Sequence, residues 1–146
     1  MRLIIQRVKE ANVTIENRVH AEIGMGMVVL FGVCKSDSIK ECARLAERLV
    51  NLRVFSDSED KMNLSLNDIN GSLLIVSQFT LYADCSKGRR PSFTEAAPPE
   101  MANGIYEQFL KDVRGYWPKT QSGVFGAKME IHLVNDGPLT FILEST

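Results

Sequence analysis

The chain has 146 residues, 45% of them hydrophobic and 24% charged, with a formal net charge of −1 at pH 7; a chain of this kind buries roughly two-thirds of its unfolded surface without a disulfide or metal staple. A charge this close to neutral excludes a protein that coats nucleic acid, whose nonspecific affinity grows with the phosphates it neutralises, and leaves room only for a small local contact. No apolar run approaches the ~20 residues that cross a bilayer, and the first one, Leu3 to Ile5, is too short for a secretion signal, so the expectation is one domain over residues 1–146, soluble and cytoplasmic, with no membrane partner.

Residues 2–33 read as a β-meander: "RLIIQRVKEA" and "NVTIE", a turn at Asn17-Arg18, "VHAEI", and the apolar run "MVVLFGV" after Gly24 and Gly26. The period then changes. Ile39, Cys42, Leu45, Ala46, Leu49 and Leu52 recur at helical spacing, and Ser38 with Glu41 has the pattern of a capping box. "RVF" returns to strand, Asp57 to Asp60 form a polar turn, and Met62, Leu64 and Leu66 alternate before the turn "DINGS". The aliphatic run Leu73 to Val76 reads as a strand covered on both faces.

Beyond "FTEAAPPE" the stripe Ala102, Ile105, Tyr106, Phe109, Leu110 and Val113 predicts a second long helix, with Pro98 and Pro99 at its start and Gly115 and Pro118 at its stop. "TQSGVFG" reads as a loop, "KMEIHLVN" as a strand, and "DGP" as a turn into a last strand "LTFILE". Two helices are too few to supply crossovers for so many strands, so the expected class is α+β: mainly antiparallel sheets stacked in layers, barrel-like, with the two main helices on one face.

Cysteines 34, 42 and 85 are odd in number and lack paired spacing, and His20 and His132 stand far apart in strand-like segments. Neither a disulfide framework nor a metal site is expected, and no cofactor. No G-x-S-x-G elbow, phosphate loop, dinucleotide fingerprint or H-E-x-x-H occurs. What stands out is the end of the strand at Leu73 to Val76, where Ser77, Gln78 and Thr80 bring two hydroxyls and an amide, followed by a loop with Lys87, Arg89 and Arg90 around Gly88. Hydroxyls there either satisfy neighbouring backbone or build a site, and Gly137-Pro138 in "NDGPLT" reads by itself as a tight turn.

Taken together, "SQFTL" at 77–81, "NDGPLT" at 135–140, "QRV" at 6–8, "RPSF" at 90–93 and "FSD...KMN" at 55–63 resemble the D-aminoacyl-tRNA deacylases of the bacterial and eukaryotic type. The resemblance runs from Met1 to Glu144 without a large insertion or gap; Leu139, where the family pattern favours valine, is an aliphatic swap. It implies a homodimeric enzyme that hydrolyses the ester between a D-amino acid and the terminal ribose of tRNA. Glycine is admitted as an acyl group, and L-esters are spared.

Sparing L-esters a thousandfold requires a difference of about 4 kcal/mol between mirror-related placements. Attraction to a side chain cannot supply this across many amino acids, whereas repulsion aimed at the α-carbon can, because every L-residue projects its substituent the same way. The resemblance assigns this task to Gly137-Pro138, with a cis peptide bond, inserted from one subunit into the pocket of the other, its orientation fixed by Arg7. Catalysis falls to the end of "SQFT": N–H groups near Phe79 and Thr80, with the Gln78 amide, as oxyanion donors, and Ser77 behind them holding the strand end. Two attack modes are open, the Thr80 hydroxyl or a water assisted by the adjacent ribose hydroxyl. Lys87, Arg89, Arg90 and Phe93 are either a solvated loop or the contact with the single-stranded 3′ end of the tRNA. Rival readings are a nucleic-acid-binding dimer without hydrolytic activity and a general esterase.

Overall fold

The computed structural model describes residues 1–145. Its hub is β1 (Arg2–Ile15), which pairs antiparallel on one flank with β2 (Arg18–Ile23) and β3 (Gly26–Gly32) and on the other with β8 (Glu130–Glu144). The register is continuous from Val13↔Ala21 to Arg2↔Gly32, so β2 and β3 act as one long arm laid along β1. β1 buries side chains on both faces, and its inward phase shifts between Val8 and Ala11, where its ladder with β8 is irregular. Leu3 and Ile5 enter the core shared with the helices, whereas Val8, Ala11 and Val13 enter a second cluster with Ala21, Ile23, Val28, Leu74 and Val76. A sheet with one apolar face against helices and the other wrapped around its own cluster is strongly curled, and the result is the expected α+β, barrel-like architecture.

Two parallel pairings extend the sheet, β3 with β6 (Ser72–Ser77) and β6 with β7 (Thr120–Ser122). Each needs a crossover, and each main helix supplies one: α1 (Cys42–Val50) lies between β3 and β6, and α3 (Pro99–Tyr116) between β6 and β7. The helices pack together on one face, with Phe31 of β3 stacked on Phe109 of α3 at 4.5 Å and the buried Tyr106 hydroxyl donating to the Ile75 carbonyl at 3.0 Å. β6 is covered on both sides, Leu73 and Ile75 facing the helices and Leu74 and Val76 the barrel cluster. The strand that carries the candidate site is thereby enclosed on both faces, and it holds its last residues in a fixed place.

The structure departs from the sequence expectations at several points. "TQSGVFG" contains β7, a strand too short to show periodicity. Leu66 opens a short helix, α2 (Leu66–Ile69), because Ser65 and Asp68 form a reciprocal capping box there. The pattern at Ser38 and Glu41 is not such a box: the Ser38 side chain accepts from the Lys40 N–H, a 3₁₀ turn covers Ile39–Glu41, and α1 starts only at Cys42. The two strands expected in the C-terminal region are one, β8, interrupted by a bulge. A small separate hairpin, β4 (Phe55–Ser56) with β5 (Met62–Leu64), stands apart from the main sheet. No helix among the described residues is long and apolar enough to cross a membrane.

Candidate functional site

At the end of β6 the chain leaves the sheet through Gln78 and tightens into a 3₁₀ turn, Phe79–Tyr82. Ladder bonding is still felt at its entrance, where the Gln78 N–H donates to the Phe31 carbonyl at 2.8 Å. Inside the turn Leu81 N–H donates to the Gln78 carbonyl at 3.3 Å, and Ala83 N–H to that of Thr80 at 3.0 Å. The first N–H groups of such a turn have no carbonyl of their own to reach, so those of Phe79 and Thr80 are available to an outside acceptor. The Gln78 side-chain amide donates to Thr80 Oγ1 at 2.5 Å. An amide donor is no general base, so the Thr80 hydroxyl gains nothing toward nucleophilicity from this partner.

A cleft of about 680 Å³ opens beside the turn, lined by Ser77, Gln78, Phe79, Phe93, Phe125 and Met129 among others. Its other wall is the stretch Ala96 to Pro99 leading into α3. The lining is mostly apolar with polar groups gathered at the end of β6, a combination suited to holding a flat or acyl group against a few directed donors. Phe79 and Phe93 meet at the mouth, ring centres 5.0 Å apart and tilted by 60°. Ser77, Gln78, Phe79 and Phe93 are therefore brought together, while Thr80 stands exposed on the rim and does not line the cleft. Phe125 and Met129 also line the cleft; the aromatic residue between the glycines of "GVFG" is a signal for the first, and nothing in the sequence singles out the second.

The basic residues Lys87, Arg89 and Arg90 are exposed on a loop that is pinched at its neck. Asp84 and Ser92 exchange backbone bonds of 2.7 and 2.9 Å, and Ser86 N–H donates to Asp84 Oδ1 at 2.8 Å. Bonds from Ser86 hold the Asp84 carboxyl below its usual range. Phe93 follows this neck immediately, which sets the cationic loop next to the mouth of the cleft.

Gly137-Pro138 lies elsewhere. Opposite Arg7 on β1, β8 runs through Asp136 to Leu139 between the pairs Val8↔Asn135 and Gln6↔Thr140, and the surplus residues bulge out of the ladder. The Gly137-Pro138 peptide is cis and both residues are exposed. Gly137 has φ +134°, and a Cβ built there would lie 2.8 Å from Leu139 Cγ and 3.0 Å from the Leu139 nitrogen, so only glycine fits. Arg7 holds the base of the bulge: Nε donates to the Asp136 carbonyl at 3.1 Å, Nη1 to the Val54 carbonyl at 2.9 Å, and Asp136 Oδ2 is 3.1 Å from Nε. Across its neck Leu139 N–H donates to Asn135 Oδ1 at 2.9 Å. Reaching β6 from this bulge means crossing β1 and β3, three strand spacings or roughly 14 Å of sheet, so within one copy of the chain the bulge and the cleft are separate.

A family model described as D-Tyr-tRNA(Tyr) deacylase matches residues 4–144. The chain is 54% identical over 145 residues to a D-aminoacyl-tRNA deacylase of Thermosipho africanus, covering 99% of this chain and 97% of that one. It is 55% identical over 145 residues, with the same coverage, to one from a Geobacter species. Among solved structures, a "c-Myc DNA Unwinding Element Binding Protein" superposes with a TM-score of 0.93 at 40% identity, covering 100% of this chain and 99% of that one. A probable eukaryotic D-amino acid tRNA deacylase matches with a TM-score of 0.84 at 17% identity over 97% of both chains, a likeness of fold alone.

Proposed function

The chain belongs to the D-Tyr-tRNA(Tyr) deacylase family and hydrolyses D-aminoacyl-tRNA, and from that premise we propose that the ester is bound and cleaved in the cleft at the end of β6. The observation that carries this reading is the pair of N–H groups, Phe79 and Thr80, left unpaired by the 3₁₀ turn beside a largely apolar cavity. Water adds to the ester carbonyl, the oxygen takes up negative charge, and these N–H groups with the Gln78 amide receive it; one such donor contributes roughly 3 kcal/mol. The C–O bond to the ribose then breaks, the ribose oxygen takes a proton, and free D-amino acid and tRNA leave. Because the partner of the Thr80 hydroxyl is an amide donor, the attacking group in this reading is water assisted by the neighbouring ribose hydroxyl. Ser77, as the last residue of β6, fixes the strand end.

Selection against L-esters is assigned to Gly137-Pro138 of a second copy of the chain, inserted into the cleft, with Arg7 holding the bulge. Supporting this are the exposure of the bulge, its separation from the cleft within one copy, and the carbonyls gripped by the Arg7 guanidinium. The same geometry admits glycyl esters, which carry no substituent to be repelled. Lys87, Arg89 and Arg90 contact phosphates near the 3′ end, and Phe93 lies next to the terminal base. The protein works in the cytoplasm as a homodimer of one deacylase domain spanning residues 1–146.

A second reading, a nucleic-acid-binding dimer without hydrolytic activity, is favoured by the name of the structural relative described as a DNA-unwinding-element binding protein. Deacylation of matched D- and L-tyrosyl-tRNA, with EDTA present and Thr80→Ala alongside, separates them. Selective loss of the D-ester in both proteins is expected. Activity confined to the unmodified chain would make Thr80 the nucleophile, and cleavage of neither ester would leave the binding reading.

A further inference from the structure

Arg2 stands at the start of β1, in ladder register with Gly32 on β3 and Glu144 on β8. Its guanidinium ties three elements together. Nε donates to Glu144 Oε1 at 2.7 Å, Nη1 donates to the Leu81 carbonyl at 3.0 Å, and the guanidinium carbon lies 5.0 Å from the centre of the Tyr82 ring. Leu81 and Tyr82 are the second half of the turn whose first half presents the N–H groups of Phe79 and Thr80. The floor under this turn is tight, for a Cβ built on Gly32 would come within 2.9 Å of Leu81 Cβ and 3.2 Å of the Gln78 carbonyl. One end of the turn is thus held by the β3 backbone through Gln78, and the other end rests on Gly32, bonds Cys34 through the Tyr82 side chain, and is gripped by the Arg2 guanidinium from β1.

We propose that Arg2 is a positioning residue for the deacylation: by clamping the Leu81 carbonyl and the Tyr82 ring it sets the direction in which the Phe79 and Thr80 N–H groups point. The proposal rests on the oxyanion reading of this turn given above. A four-residue 3₁₀ turn is weakly held by its own bonds, and donors stabilise an oxyanion only where they aim at the position that oxygen will occupy. An error of about 1 Å in such aim costs on the order of a hundredfold in rate. Arginine suits the task because its planar fork bonds the carboxylate and the carbonyl while its face lies on a ring, which lysine cannot do at once. Glu144 orients the fork, so its influence on the reaction passes through Arg2.

The test measures kcat and KM on D-tyrosyl-tRNA, with melting curves, for Arg2→Met, Arg2→Lys, Glu144→Gln, the double variant Arg2→Met/Glu144→Gln, and Thr80→Pro, which removes one of the N–H donors. The expected result for Arg2→Met is a loss of about 30- to 100-fold in kcat with KM within about threefold, measured well below its melting temperature. Arg2→Lys restores charge without the fork and recovers only a small part of this loss. Glu144→Gln loses less, and the double variant is no worse than Arg2→Met alone. A kcat for Arg2→Met within twofold of the unmodified protein, while Thr80→Pro is inactive, overturns the role of Arg2 alone. Full turnover in Thr80→Pro overturns the oxyanion reading itself. If Arg2→Met does not fold, Arg2→Lys decides: unchanged kcat refutes the proposal, and a lowered kcat at unchanged KM supports it.

Discussion

Arg7→Met keeps the length of the side chain and removes the guanidinium donors that hold the base of the bulge in β8. The Arg7 side chain is 11% exposed, and its guanidinium makes two bonds to carbonyls, 2.9 Å to Val54 and 3.1 Å to Asp136. Charge-assisted bonds contribute roughly 1.5–3 kcal/mol each, and because water replaces part of them at a surface bulge the expected cost is about 2–4 kcal/mol. The ion pair with Asp136, whose carboxylate is a third exposed, adds at most about 1 kcal/mol. At roughly 2–4 °C per kcal/mol the melting temperature falls by about 5–15 °C. Chiral selection is the sharper readout. Since a thousandfold preference corresponds to about 4 kcal/mol of repulsion at the α-carbon, a bulge free to retreat should cut the D-to-L ratio at least 30-fold, mainly by raising the L rate. The assay pairs a thermal melt with deacylation of D- and L-tyrosyl-tRNA by the same preparation, and Arg7→Lys, able to reach one carbonyl, should fall between. Melting within 2 °C of the unmodified protein would refute the energetic reasoning, and an unchanged ratio would remove Arg7 from selection.

Gly137→Ala forces a methyl group to 2.8 Å from Leu139 Cγ at φ +134°; the exposed bulge shifts, and the D-to-L ratio drops about tenfold or more while melting changes by only a few degrees, as the same two assays would read. Neutralising Lys87, Arg89 and Arg90 together should lower the slope of log K for tRNA against log salt by about 2, from 0.7 per phosphate contact on single strands; an unchanged slope measured by filter binding would show a solvated loop. Burial, with Asp112 adding to it, pushes the Cys42 thiol up to about 11, against ~8.5 for an unfolded one. Above ~8.5 the unfolded chain releases a proton that the folded chain keeps, so this contribution to stability is full below ~8.5 and is lost as pH rises toward 11. Cys42→Ala should therefore show a shallower decline of melting temperature over that window.

Much of the architecture was legible because its signals are long. The stripe from Ala102 to Val113 on α3 and the doubly covered run Leu73 to Val76 could hardly serve anything but a core, and all of these side chains are buried. Short elements were not legible for the opposite reason: β7 spans Thr120–Ser122, a length at which alternation has no meaning, and its existence depends on pairing with Leu73 to Ile75. Leu66 belongs by spacing to an alternating strand, but the local bonds between Ser65 and Asp68 outweigh that pattern. At the site, Ser77, Gln78 and Thr80 announced themselves as polar groups ending an apolar strand, although Thr80 stands outside the cleft lining. Arg2 did not, since one cation at the start of a strand looks like any other until the Leu81 carbonyl is seen beneath it. The remoteness of Gly137 from the cleft within one copy was equally hidden, because it follows from the strand order and not from the residues themselves.

The pairing of β1 with β8 bears on how the chain is made. Arg2 lies opposite Glu144 and Thr14 opposite Glu130, so β1 is completed on one flank only by β8, which is synthesised much later. At ribosomal speeds of 5–20 residues per second, that flank waits on the order of ten seconds with its backbone groups unpaired, although the β2–β3 arm has long since closed the other. An open edge of this length is the kind of surface that recruits a foreign strand. Yield in the cell should thus depend on translation rate and chaperone supply more steeply than the melting temperature of the finished protein would suggest.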